Sequence, residues 1–116
     1  MYKKYDIVFA NFNPKKGHTQ AGIRPCIIIQ NNIFNTNAPT LIVVPLTTNL
    51  KIPFPSEFII KASIENGLKE DSRYLGSQII TIDKIYILEK IGSLEKNYYE
   101  EIKKAIFIAL DCNDDF

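Results

Sequence analysis

GHTQAGIRPCIIIQN, residues 17–31, changes character half-way along. Its first nine positions hold two glycines, the only histidine of the chain, one of only two arginines and a proline. That is the punctuation of a loop. The run CIII that follows is apolar and β-branched, the signature of a strand. Arg24 precedes Pro25, which pushes it into extended backbone, so it stands at the mouth of the strand at residues 24–30. Strand alternation then places Arg24, Cys26, Ile28 and Gln30 on one face, and Pro25, Ile27 and Ile29 on the other. Pro25 fits only the start of such a strand or an edge.

Working outward, residues 5–12 (YDIVFANF) predict a first strand, and residues 13–23, with Pro14, Gly17 and Gly22, a long loop. Residues 31–40 are polar and read as a connection. Residues 41–47 (LIVVPLT) predict a third strand, apolar enough to be buried on both faces, with Pro45 marking an edge or bulge near its end. A loop at residues 48–56 with two prolines leads to a fourth strand at 57–61 (EFIIK). A turn at Asn66-Gly67 and strand or irregular pieces at 72–75, 77–82 and 85–91 follow. From 95 to 111 the period changes: Tyr98, Ile102, Ala105, Ile106, Ala109 and Leu110 recur at three- and four-residue spacings opposite Glu and Lys. That predicts an amphipathic helix with an acidic first turn. Short strands followed by one packing helix imply a mainly β fold, a small curved antiparallel sheet or barrel with a C-terminal helix.

At 116 residues, 46% hydrophobic and 23% charged, the chain is expected to form a single globular domain over 1–116. No stretch approaches the roughly 18 apolar residues of a membrane span. The opening MYKKYDIVF lacks the apolar core of a secretory signal. A cytoplasmic location, away from membranes, is therefore the expectation. Cys26 and Cys112 are too few for a disulfide framework and have no zinc spacing, so they are expected to be idle thiols. The net charge of +1 argues against bulk phosphate attraction but not against a local anion site.

Phosphate-binding GxxxxGK[ST], GxSxG, HExxH and paired CxxC motifs are absent, and one histidine with no carboxylate cluster offers no metal centre. No cofactor is implied. Arginine is used sparingly, at Arg24 and Arg73 only. A guanidinium held at a strand mouth beside a glycine-flanked loop could bind a phosphate bidentately, or simply pair with a surface acid. His18 is the side chain that titrates near neutral pH, yet a loop histidine can equally be just solvated. Thr47 and Thr48 are either a polar strand exit or hydroxyl donors to a ligand oxygen.

Taken in order, several blocks resemble the MazF/PemK family of toxin–antitoxin ribonucleases. YDIVFANFNPKKG is similar to the family's opening G-D-[IV]-x-x-[VA]-[DN]-F-[DN]-P-x-x-G, with Tyr5 at the glycine position. GHTQAGIRPCIIIQN resembles G-[SH]-E-Q-x-G-x-R-P and its following strand. PTLIVVPLTTN resembles the third-strand block ending in threonine, and SQIITIDK the segment [DE]-Q-[IV]-[RK]-[ST]-I-D. The likeness spans essentially the whole chain.

The resemblance implies an SH3-like antiparallel β-barrel of MazF/CcdB type with a C-terminal helix, working as a homodimer. It implies a sequence-specific, metal-independent endoribonuclease that cuts single-stranded RNA, mainly mRNA, and a cognate antitoxin protein as partner. The ribose 2′-hydroxyl attacks the adjacent phosphorus, leaving a 2′,3′-cyclic phosphate and a 5′-hydroxyl. On the matching positions Arg24 stabilises the phosphorane and Thr47 donates to a non-bridging oxygen. Gln20 and Gln78, with Thr19, Thr48 and Ser77 beside them, are the expected RNA contacts. Three positions depart from the pattern: Thr19 replaces glutamate, Ser77 an acidic residue and Ile80 a basic one. With both carboxylates gone, His18 becomes the candidate acceptor for the 2′-hydroxyl proton. Two other classes remain open at this point: a CcdB-like toxin that poisons gyrase, and a non-catalytic SH3-like binding module.

Overall fold

Three alternating apolar segments make the centre of the molecule. The structure, a computed structural model, describes residues 1–12 and 22–111. Strand β1 (Asp6–Asn11) pairs antiparallel with β2 (Ile23–Ile28), which pairs with β3 (Thr40–Thr47). A short helix α1 (Asn32–Asn37) sits between β2 and β3. Beyond β3 come β4 (Phe58–Ile60), β5 (Ser72–Tyr74), β6 (Ile80–Asp83), β7 (Ile87–Ser93) and helix α2 (Tyr99–Leu110). The spatial order is β4-β5-β3-β2-β1-β7, with β6 also on β3. The sheet is open but strongly curved, so the barrel-like expectation holds.

Strand β3 explains the curvature. Its first half, Thr40–Val43, pairs with β6, and its last two residues pair with β5. Pro45, which has no N–H to give, stands at the changeover between these partners and opposite Cys26. Pro25 is likewise tolerated inside β2 because the β2–β3 pairing begins one residue later, at Cys26.

The sheet carries a core on each face. One side buries Ile7, Ile27, Val44, Leu46 and Tyr74 against Ile102 and Ala105 of α2. Alternate residues of the same strands, Val8, Cys26, Ile28, Leu41 and Val43, bury on the other side with Ile82. The C-terminal segment opens with a 3-10 turn at Lys96–Tyr98, so α2 begins later than its periodicity predicts, and Leu110 at its end is exposed.

Two local features were not legible in the pattern. Helix α1 lies where the polar run reads as a connection. Asn31 caps it by accepting the Ile33 N–H at 2.8 Å, and buried Asn35 exchanges hydrogen bonds with Gln30. Tyr5, at the glycine position of the family-like opening, has φ of +76°, the left-handed region that favours glycine. Its ring stacks on Tyr99 at 3.8 Å, its N–H donates to Ile28 O and its carbonyl accepts from Leu94 N–H. These contacts hold a conformation that the side chain alone disfavours.

Candidate functional site

The β2–β3 register brings two of the sequence-predicted residues together. Cys26 faces Pro45, and just beyond that last register pair strand alternation turns Arg24 and Thr47 to the same face, where both line one cleft. A cleft of about 240 Å³ opens there, lined by Ile23, Arg24, Pro25, Leu46, Thr47 and Thr48. Arg24 is half-buried and is backed by Ala10 of β1, its register partner. Asn49 N–H donates to Thr47 Oγ1 at 3.2 Å. That bond occupies an oxygen lone pair and leaves the hydroxyl proton to be donated elsewhere.

Phe12 N–H donates to Gly22 O at 2.6 Å. That bond extends the β1–β2 pairing one residue beyond Asn11 and Ile23, close to Arg24. His18, Thr19 and Gln20 lie outside the described residues. Ser77 and Gln78 are exposed in the turn between β5 and β6 rather than in a strand, and neither lines the cleft. Ile80, the third departure from the family pattern, is an exposed residue at the start of β6.

The second arginine was missed as a neighbour of the site. Arg73 on β5 is the register partner of Thr47, so both arginines of the chain flank that threonine across the sheet. Arg73 is buried, and its Nη1 contacts Glu57 Oε1 at 3.1 Å. Glu57 also accepts the Phe54 N–H, which ties the loop after Thr47 and Thr48 to β5. The scarcity of arginine was the signal available in the sequence. The register that uses it was not. Cys26 needs no functional role: burial pushes its thiol up to about 12, which keeps it protonated. Cys112 lies outside the described residues.

Among the described residues no group of three or more His, Cys, Asp or Glu is placed to hold a metal ion, and no helix is long and apolar enough to cross a membrane. The cleft offers a guanidinium and hydroxyls, which suit an anionic oxygen ligand.

The model of the PemK-like, MazF-like toxins of type II toxin–antitoxin systems matches residues 3–110. The chain belongs to this family. It is a PemK/MazF toxin by sequence along nearly its full length. Endoribonuclease EndoA of Bacillus subtilis is 37% identical over 113 residues, 97% of each chain. The ribonuclease reading of the sequence agrees with the activity named for that relative. Among solved structures, an endoribonuclease in complex with its cognate antitoxin from a mycobacterial species superposes with a TM-score of 0.79 at 20% identity, covering 97% of each chain. A MazF from Deinococcus radiodurans gives 0.75 at 21% identity, covering 95% of this chain and 96% of that one. At such identities these two carry the fold, and the fold is that of the PemK/MazF toxins.

Proposed function

We propose that this PemK/MazF toxin is a metal-independent endoribonuclease acting on single-stranded RNA in the Arg24–Thr47 cleft. The observation that carries the reading is that those two side chains line one cleft from the ends of β2 and β3. The substrate 2′-hydroxyl loses its proton to His18 and its oxygen bonds to the adjacent phosphorus. The bond from phosphorus to the 5′-oxygen breaks, and that oxygen takes a proton from water. The products are a 2′,3′-cyclic phosphate and a 5′-hydroxyl. Arg24 faces the dianionic phosphorane with two N–H groups, and the Thr47 hydroxyl donates to a non-bridging oxygen. Arg24 keeps its proton throughout, because a guanidinium does not deprotonate in a protein.

Thr48, which lines the cleft, and Gln20, Thr19, Ser77 and Gln78 are the proposed RNA contacts. The partners are RNA, a second copy of the chain and an antitoxin, as in the mycobacterial relative solved with its cognate antitoxin. The setting is the cytoplasm. Such antitoxins are expected to lay an acidic, disordered segment over the RNA groove.

Incubating the pure protein with mixed-sequence RNA in EDTA tests this. Discrete cuts with cyclic ends, lost in Arg24→Ala and Thr47→Ala, are expected. Intact RNA together with inhibited DNA supercoiling would replace the reading with the gyrase-poison class. Intact RNA with no effect on supercoiling would leave a binding module. For His18→Ala, a slower rate with a flattened pH profile between about pH 5 and 8 is expected, and an unchanged profile removes His18 from the mechanism.

A further inference from the structure

A second hollow of about 340 Å³ adjoins the Arg24–Thr47 cleft, and Pro25 and Thr48 line both. Its floor is apolar, made by Phe9, Pro25, Leu68 and Ile91. Phe9 of β1 and Glu89 of β7 are register partners, so their side chains stand next to each other on one face. The remaining wall is the turn at residues 66–70. It is rigidly built. Gly67 has φ of +73°, and a Cβ there would lie 1.9 Å from Ile91 O, so its backbone packs directly on β7. Buried Asn66 accepts from the N–H groups of Ser63 and Leu68 and donates to Lys61 O and the Glu95 carboxylate. Burial raises the Glu95 carboxyl, but hydrogen bonds from the Ser63 hydroxyl, its own backbone and Asn66 outweigh that and leave it lowered. The hollow is thus formed before any ligand arrives, with the size and apolar lining of a small-molecule site.

We propose that this hollow is a nucleobase subsite. It takes the base of a nucleotide flanking the scissile phosphate and prefers one with an exocyclic amino group. The proposal rests on the RNA-cleavage reading above. Continuity places the subsite: Pro25 and Thr48 line both spaces and are the chain neighbours of Arg24 and Thr47, so a strand whose phosphate lies against those two has its neighbouring base within reach of the hollow. Charge decides what enters. Glu70 and Glu89 at the lining stand against Lys69 alone, which disfavours a phosphate. A neutral base suits it better, with its face on Phe9 and its amino protons given to a carboxylate. Uracil has no amino group, and its one edge donor, N3–H, lies between two carbonyl oxygens that the carboxylates repel, so it is held less well.

The test compares the wild type with the double variant Glu70→Gln, Glu89→Gln, both changes being at exposed residues. In mapped cleavage of random-sequence RNA, the wild type is expected to favour adenine, cytosine or guanine over uracil by about 10-fold at one position next to the cut. The double variant should reduce that preference to less than about 3-fold. A second arm needs no cutting: fluorescence anisotropy with oligodeoxycytidine and oligodeoxythymidine. The wild type should bind the cytosine oligomer about 10-fold more tightly, and the double variant should bind both alike. If RNA stays intact but this preference is found and lost as described, the cleavage reading fails and the subsite stands. Equal binding of the two oligomers by the wild type, or a base preference that survives the double substitution, overturns the subsite. A hollow that serves a protein partner would give that result.

Discussion

The two faces of the central sheet bury similar strand residues but are finished differently. On one, α2 closes over Ile7, Ile27, Val44 and Leu46, and Phe58 stacks on Tyr74 at 4.8 Å. On the other, the apolar cluster around Val8, Cys26 and Val43 stops short of the strand ends. There two register pairs, Ala10 with Arg24 and Thr47 with Arg73, meet at the cleft. A sheet with a core on both sides can pack most of one face under a helix, leaving beyond the helix the hollow floored by Phe9, Pro25, Leu68 and Ile91. On the other it can trade the last apolar layer for charged and hydroxyl groups held just as firmly by the backbone ladder. The packing under α2 and the chemistry of the Arg24–Thr47 cleft therefore rest on different residues.

The largest effect that sharpens this division is on rate. Arg24→Ala should slow RNA cleavage by about 10² to 10³, with a denaturation midpoint close to that of the wild type. A variant that loses activity by unfolding would break the division. Ile102→Ala, on the packed face, should do the reverse. A loss of about 2–5 kcal/mol in urea unfolding is expected, with the cleavage rate per folded molecule unchanged. Glu57→Gln falls between these, because it leaves the buried Arg73 guanidinium without its counter-ion. About 3 kcal/mol of destabilisation is expected, as for a buried pair broken on one side. The smallest change is Tyr74→Phe. The Tyr74 hydroxyl is buried and has no hydrogen-bond partner among the described residues, and burial raises its pKa. Removing it should stabilise the fold by about 1 kcal/mol, and a lowered midpoint would mean that the hydroxyl is satisfied after all.

Much of this was legible in residues and some was not. The strands β1, β2 and β3 announce themselves by short, β-branched apolar runs, because both faces of the sheet are buried, and α2 by its helical period, because it is buried on one side. Helix α1 has no such stripe. NIFNTN is built from weak helix formers, and it is held by the Asn31 cap and by Asn35 reaching Gln30, a tertiary contact that no local window contains. Arg24 and Thr47 could be matched to a family pattern, but their meeting depends on sheet register. Arg73 shows the same limit more sharply. It sits in a strand of three residues, and only the pairing of β5 with the end of β3 makes it a neighbour of Thr47. Tyr5 is the converse case, a departure from the pattern whose cost appears only as a positive φ.

The most direct test of the central claim is a double-mutant cycle on single-turnover cleavage of one mapped RNA, using Arg24→Ala, Thr47→Ala and the pair together. If both side chains stabilise the same phosphorane, each single change should be severe and the double variant should lose far less than the product of the two. A single variant that cuts at the wild-type rate, or losses that simply multiply, would contradict a shared site in the β2–β3 cleft.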